Sequence, residues 1–343
     1  MRVLITGGAG FIGCNLAAAC IEAGHRVTVF DNLSRRGSPA NLEWLRASSA
    51  GGAGAFDFVQ GDIRDAAAVL RAAGGQEAIY HLAGQTAVTT SVSDPRPDFE
   101  ANALGTFNVL EAARQAGHDP IFIFSSTNKV YGGMEDAPAA EQATRCVLPD
   151  YPNGVSETRP LDFHSPYGCS KGAADQYVRD YARIYGMRTV VFRQSCIYGQ
   201  RQMGVEDQGW VAWFVIAAVT GRPITIYGNG KQVRDLLHID DLVRAFRLAT
   251  EKIDITKGRV YNLGGGPANT LSIWAEFGPM LTEMVGHEVK PSVYLDWRPG
   301  DQPVFIADVG KAEREFGWVP QIGVREGIAR LIDWVRANPG LFA

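Results

Sequence analysis

The sequence predicts an α/β fold, a doubly wound parallel sheet with helices on both faces, followed by a smaller C-terminal α/β part. Three observations predict it. Short β-branched or aromatic runs alternate with helical segments over roughly the first 200 residues, a glycine-rich turn joins the first strand to the first helix, and the second strand ends on an acidic side chain.

The first strand and turn read "VLITGGAGFIG", with Gly7, Gly10 and Gly13 in G-x-x-G-x-x-G spacing ahead of an Ala-rich helix. Glycines close the turn, let the backbone approach a pyrophosphate and let the helix pack on the strand, while the helix N-terminus presents N–H groups to phosphate. The second strand, "HRVTVFD", ends at Asp31, about 20 residues beyond the glycines, where a carboxylate can bond adenosine ribose hydroxyls. Together these predict a Rossmann-type dinucleotide site. Arg35 and Arg36 tolerate a 2′-phosphate, but Asp31 repels one, so NAD is favoured over NADP.

Alternation then continues through "FDFVQGD" with "DAAAVLRAAG", "AIYHLAG" with a long loop and "NALGTFNVLEAARQAG", "PIFIFSST", and finally "TVVFRQS". Ligands on such sheets sit at the carboxyl ends of strands, which places Asp62, Ala83, Gly84, Ser125, Ser126 and Thr127 on the ligand side. Beyond Tyr198 the pattern loosens into helices with short strands between them. The expected division is a dinucleotide-binding domain over 1–198, to which 235–265 can return, and a substrate-binding domain over 199–343.

Composition narrows the partners. The 343 residues are 46% hydrophobic and 20% charged, and 33 basic against 37 acidic side chains leave a formal charge of -4. No electrostatic footprint for nucleic acid or an anionic membrane appears. Five cysteines without a C-x-x-C point to neither a zinc site nor a disulfide framework, so no metal is expected and the cytoplasm is the expected compartment. The N-terminal stretch before Cys20 loosely mimics a lipoprotein signal, but glycines interrupt it and no run of about 18 apolar residues follows.

A second constellation lies in "HSPYGCSKGAADQYVRDYARIYG". Pro166 suits a helix start, which puts Tyr167 and Lys171 four apart on one face. A nearby ammonium, helped by the positive nicotinamide ring of bound NAD⁺, favours phenolate and is expected to lower the pKa of Tyr167.

Gly7, Gly10, Gly13, Asp31, Thr127 and the Tyr167-x-x-x-Lys171 pair together resemble the extended short-chain dehydrogenase/reductase superfamily over essentially the whole chain. The resemblance implies that Tyr167 takes a sugar hydroxyl proton as hydride passes to NAD. It also implies that Lys171 lowers that pKa and holds the nicotinamide ribose, and that Thr127 bonds the reacting oxygen. The cofactor contacts it implies are Gly7, Gly10, Phe11, Ile12 and Gly13; Asp31, Asn32, Ser34 and Arg35; Asp62 and Ile63; Leu82, Ala83, Gly84 and Ser125; and Tyr167 with Lys171. "GKQVRDLLHIDD" and "WRPGDQ" resemble segments in which Arg234 and Arg298 grip a nucleotide diphosphate and Asp301 reaches ribose. Gln85 and Thr89, near the carboxyl end of the fourth strand, and Asn128 are candidates to bond the sugar by their position, and Cys196 stands where many relatives carry Asn.

Dehydratases of the superfamily carry Asp-Glu after the catalytic Thr, because expelling water needs an acid and a base. Here "SSTNKVYG" has Asn128 and Lys129, which implies oxidation and re-reduction of one carbon; Lys129 either enters that chemistry or points to solvent. Longer runs, "DNLSRRG", "HLAGQTAVTTSVSDP" and "PNGVSETRPLDFHSPYGCSKGAADQY", resemble the CDP-paratose (CDP-tyvelose) 2-epimerase branch. The implied partner is a nucleotide-diphosphate sugar, with CDP favoured. A UDP-sugar 4-epimerase, a net reductase and a non-catalytic binding module are the alternatives. A homodimer or homotetramer is expected, paired through helices beginning near Asn102 and Ser165.

Overall fold

A computed structural model describes residues 1–49, 54–298 and 301–342. Among them, seven strands form the central sheet: β1 Arg2–Thr6, β2 Arg26–Asp31, β3 Ala55–Gln60, β4 Ala78–His81, β5 Ile121–Thr127, β6 Thr189–Gln194 and β7 Arg259–Leu263. They lie in the order β7-β6-β5-β4-β1-β2-β3, every pair parallel. Such strands read as continuous apolar runs because both faces are covered. In β1 the alternation of side chains sends Val3 and Ile5 to one face, with Leu16, Phe192, Tyr261 and Trp318. Leu4 goes to the other, with Ile79, Val109, Phe122 and Val178.

From β1 the chain winds outward through β2 and β3, then returns to place β4 on the opposite side of β1. Loops leaving the carboxyl ends of β1 and β4 therefore diverge, and the crevice between them is the natural ligand site of such a sheet. Register sets Thr6 opposite Phe30 and His81, and Thr127 opposite Gln194, so the chemistry-bearing ends are level.

The stretch after β4, expected as a long loop, is helical in pieces: Val88–Ser93, Pro95–Phe99 and a π turn at Glu100–Leu104 lead into the Gly105–Gln115 helix. "TTSVSDPRPD" carries no apolar periodicity, so the helical turns are held by tertiary bonds. Ser170 Oγ donates to Asp98 at 2.5 Å, and Asn102 joins Asp98 at 3.1 Å and the Gln85 N–H at 2.9 Å.

Arg259–Leu263 forms the edge of the sheet, and the Ile239–Glu251 helix packs on its first face through Leu242, Ala245 and Phe246. A second sheet joins Val233–His238 to Cys196–Tyr198, Val304–Phe305 and Thr270–Ser272. Behind it the Trp210–Thr220, Phe277–Val285 and Val324–Ala337 helices bury Val211, Phe214, Leu281, Leu331 and Ile332. No helix among the described residues is long and apolar enough to cross a membrane.

Candidate active site

The glycine turn builds the first cleft, of about 430 Å³. A Cβ on Gly13 would stand 2.2 Å from the Gly7 carbonyl oxygen, and one on Gly7 would stand 2.7 Å from the Ala83 nitrogen. Bare backbone is what keeps this floor open. The Phe11–Glu22 helix starts against it with Gly10 as a cap that offers no side chain, so its first-turn N–H groups are left for an anion. Asp31 is buried at the end of β2 and accepts from the N–H groups of Ala9 at 3.0 Å and Leu33 at 2.8 Å. Each oxygen keeps a further lone pair for a ribose hydroxyl. Burial pushes its pKa up, and those backbone bonds oppose the shift.

Around this floor the cleft gathers Phe11, Ile12, Asn32, Ser34, Arg35, Asp62, Ile63, Leu82, Ala83 and Gly84, as the sequence grouped them. Asn32 Nδ2 donates to Asp62 at 2.9 Å, and Arg64 clamps Asp62 through two bonds of 2.8 and 2.9 Å, holding its pKa far below the carboxylate range. Arg35 donates to Gln208, bridging the cleft to the C-terminal part. The set fits a dinucleotide: a bare phosphate floor, a helix N-terminus and an adenosine-side carboxylate.

A second cleft of about 380 Å³ continues from the first through Phe11, Ile12, Leu82, Gly84 and Gln85, and at its inner end stand Ser125, Thr127, Tyr167 and Lys171. Thr127 ends β5 and caps the short turn at Asn128–Tyr131, its hydroxyl accepting from the Lys129 N–H at 3.3 Å. Tyr167 sits in the first turn of the Ser165–Tyr185 helix, tied by its own N–H to Ser91 Oγ at 3.1 Å. One turn on, Lys171 Nζ donates to the Ser125 carbonyl at 2.5 Å and lies 4.4 Å from the centre of the Phe124 ring.

Among the protein's own groups, burial has the largest effect on the Tyr167 phenol. Burial pushes the phenol up to about 12, a hydrogen bond from Thr127 opposes that, and Asp98 adds to it. The ammonium is directed at Ser125, and burial brings Lys171 itself down to about 8 against the pull of Asp175 and Asp98. Desolvation acts on both groups in the sense that disfavours charge.

Arg234 and Arg298, expected to grip phosphate, both line the outer end of this cleft. Arg298 lies 3.9 Å over the Tyr227 ring and 3.2 Å from Asp207; Arg234 Nη2 donates to Asp301 at 2.5 Å. Asp301, expected at a ribose, thus braces Arg234 and also accepts the Gln302 N–H at 3.0 Å. Pro299 and Gly300 of "WRPGDQ" lie outside the described residues. Cys196 lines the cleft, its thiol pushed up to about 12 chiefly by burial, which leaves it an unreactive wall.

Lys129 does not point to solvent. It lines the cleft 4.0 Å from Asp301, and burial, with Arg234 nearby, brings its pKa down to about 8. Asn128 is bonded to the buried Gln302 at 3.4 Å, and Gln85 both accepts from the Ala87 N–H and donates to the Ala87 carbonyl. Among the described residues the buried hydroxyl of Thr89 has no hydrogen-bond partner, nor do Gln194 Nε2 and Gln202 Oε1 on the same walls. Orphaned buried polar atoms call for a polar occupant. Gln194 and Gln202 were missed by the sequence reading; the only available signal for Gln194 was its place at the carboxyl end of β6.

The model of the NAD dependent epimerase/dehydratase family matches residues 3–264. A CDP-paratose 2-epimerase from Salmonella typhi is 46% identical over 341 residues, covering 97% of this chain and 99% of that protein. The UDP-glucose 4-epimerase of Thermotoga maritima, solved with UDP-glucose, superimposes with a TM-score of 0.83 at 32% identity, over 99% of this chain and 100% of that one. A dTDP-glucose 4,6-dehydratase from Streptomyces venezuelae, solved with NAD bound, does so at 0.84 and 32% identity, over 99% of this chain and 98% of that one. Since the family model spans most of the chain and these likenesses run nearly end to end, this chain belongs to the NAD-dependent epimerase/dehydratase family and is an enzyme that works with NAD.

Proposed function

We propose that this enzyme inverts C2 of a CDP-linked 3,6-dideoxyhexose, as a CDP-paratose 2-epimerase does, by oxidation to a 2-keto sugar and reduction on the opposite face. The observation that carries the reading is the distribution of carboxylates in the substrate cleft. Among the described residues its lining acids are Glu206, Asp207 and Asp301, all at the outer end and engaged with Tyr227, Arg298 and Arg234 respectively. Only Asp301 comes near Lys129, at 4.0 Å, and it is paired with Arg234, so neither Asn128 nor Lys129 is backed by an uncommitted carboxylate that could expel a leaving group. The near-full-length likeness to a CDP-paratose 2-epimerase supports the same carbon and nucleotide.

When bound, NAD supplies reversible acceptance of a hydride. The protein's tasks are then those of its own side chains. Tyr167 Oη takes the proton of the reacting hydroxyl and gives it back to the same oxygen, and the Thr127 hydroxyl bonds that oxygen throughout. Arg234 and Arg298 hold the diphosphate while the sugar turns, and Gln85, Thr89, Asn128, Gln194 and Gln202 offer bonds to its hydroxyls in either pose. Fixing the nucleotide while the ring turns keeps both faces within reach of one hydride site. In this division of labour 1–198, with 235–265, carries the dinucleotide, and 199–343 carries the nucleotide sugar.

Exposed apolar side chains on neighbouring helices, Phe99 at 59%, Tyr177 at 53% and Ile184 at 67%, support pairing with a second copy as a homodimer or within a homotetramer. Free thiols at Cys14, Cys20, Cys146, Cys169 and Cys196 support a cytoplasmic location.

Incubation with CDP-paratose in deuterated water, without added cofactor, is expected to give inversion at C2 with no deuterium there, read by proton NMR. Deuterium at C2 would mean proton exchange through an enolised intermediate and would end the hydride reading. If only UDP-sugars turn over, with inversion at C4, the 4-epimerase alternative replaces it. Activity is also expected to decline as pH rises past about 8, because Lys129 and Lys171 both lose their charge near there. A kcat/KM profile flat up to the ordinary lysine pKa of about 10.4 would contradict this.

A further inference from the structure

At the open edge of β7 a third cavity, of about 120 Å³, is lined by Glu157, Arg179, Arg193, Arg259, Lys311 and the backbone of 258–260. It shares no lining residue with the two clefts. We propose that it binds a phosphate group that carries an O–H, either free hydrogen phosphate or the phosphate of a monoester, with Arg179, Arg259 and Lys311 as its cations and Glu157 as the acceptor of the O–H. The proposal does not depend on which sugar the enzyme turns over.

Charge makes the case. Arg193 is neutralised by Asp175, which receives its Nε and Nη2 at 2.9 Å each. Arg179, half-buried, and Arg259, exposed at the cavity's rim, have no hydrogen bond or ion pair from their guanidinium groups among the described residues. Lys311 Nζ spends one proton on the Val260 carbonyl at 2.8 Å and keeps two. The cations work against one another: Arg179 is held below its ordinary pKa by burial, then by Arg183 outside the cavity and by Arg193, with Asp175 pulling the other way. Lys311 is held down by burial and by Arg259 and Arg179, with Glu157 and Glu315 pulling the other way. An anion seated among them removes that repulsion.

Size and the single acid narrow the anion. At about 120 Å³ the cavity has room for one tetrahedral oxyanion. Glu157 takes the Asn262 N–H at 2.7 Å on Oε1, and Glu315 is engaged with the Tyr261 hydroxyl at 2.7 Å. Burial pushes the Glu157 carboxyl up, opposed by the Asn262 N–H and the Lys311 charge; in its ionised form it can only accept, so it repels sulfate but takes a bond from a phosphate O–H.

The test is binding of inorganic phosphate to the NAD-loaded enzyme, by calorimetry and by thermal shift, against sulfate at equal ionic strength. Saturable binding of phosphate in preference to sulfate is expected, with affinity about tenfold lower in Arg179→Ala and in Arg259→Ala, the loss of one charge-assisted bond. Glu157→Gln, which still accepts the Asn262 N–H, is expected to narrow the preference over sulfate. Unchanged phosphate affinity in both arginine variants overturns the proposal, and so does loss in Arg298→Ala instead, which would assign the phosphate to the substrate cleft. Glucose 1-phosphate separates the two sources: competition with phosphate that Arg179→Ala weakens identifies a monoester, and failure to compete identifies the free ion.

Discussion

Tyr167→Phe is expected to lower turnover by about 10²–10⁴-fold while the protein keeps its NAD and its fold. The substitution removes only the phenolic oxygen of a residue whose ring is 9% exposed and whose backbone N–H is tied to Ser91. Packing is therefore preserved. What disappears is the group able to accept the hydroxyl proton within the reach of Thr127. The buried phenol is a poor base by itself, pushed up to about 12, so its work depends on Thr127 and on charge brought into the cleft. Single-turnover NMR and the absorbance of retained cofactor check both halves; turnover within threefold or so of the parent would remove Tyr167 from the reaction.

The second large effect is on stability. Asp175→Ala is expected to destabilise the protein by about 3–5 kcal/mol, because Arg193, only 3% exposed, would keep a buried charge without its counterion. Asp175 is wholly buried, receives two bonds from Arg193 and accepts the Ser126 hydroxyl at 2.8 Å. Replacing both partners by apolar residues is expected to cost less than the single change, since the desolvation penalty then leaves with the charges. Urea denaturation of the two variants checks this. A single variant losing under about 1 kcal/mol would show that Arg193 finds another partner or water.

Much of the cofactor half was legible in the sequence because its signals are local. A strand, a bare turn and a helix start are set by backbone sterics over a dozen residues, so Gly7, Gly10 and Gly13 announced the floor and Asp31 its acidic wall. The Tyr167 to Lys171 spacing likewise follows from helix geometry. The segment after β4 was misread as loop because its order rests on Asp98, Asn102 and Ser170, the last brought in from the distant Ser165–Tyr185 helix. No periodicity can report such bonds.

By itself, then, the sequence determined the α/β winding and the dinucleotide turn and named candidates for moving a proton, since apolar alternation, glycine sterics and side-chain chemistry are properties of short segments. Only the tertiary structure decided what those groups face. Folding turned the Lys171 ammonium to the Ser125 carbonyl, set Asp301 against Arg234 and brought Lys129 into the cleft beside them. It also gathered Arg179, Arg259 and Lys311, from segments far apart in the chain, around one small cavity. Burial and charge proximity fix pKa values and free donors, and both exist only once distant segments have packed.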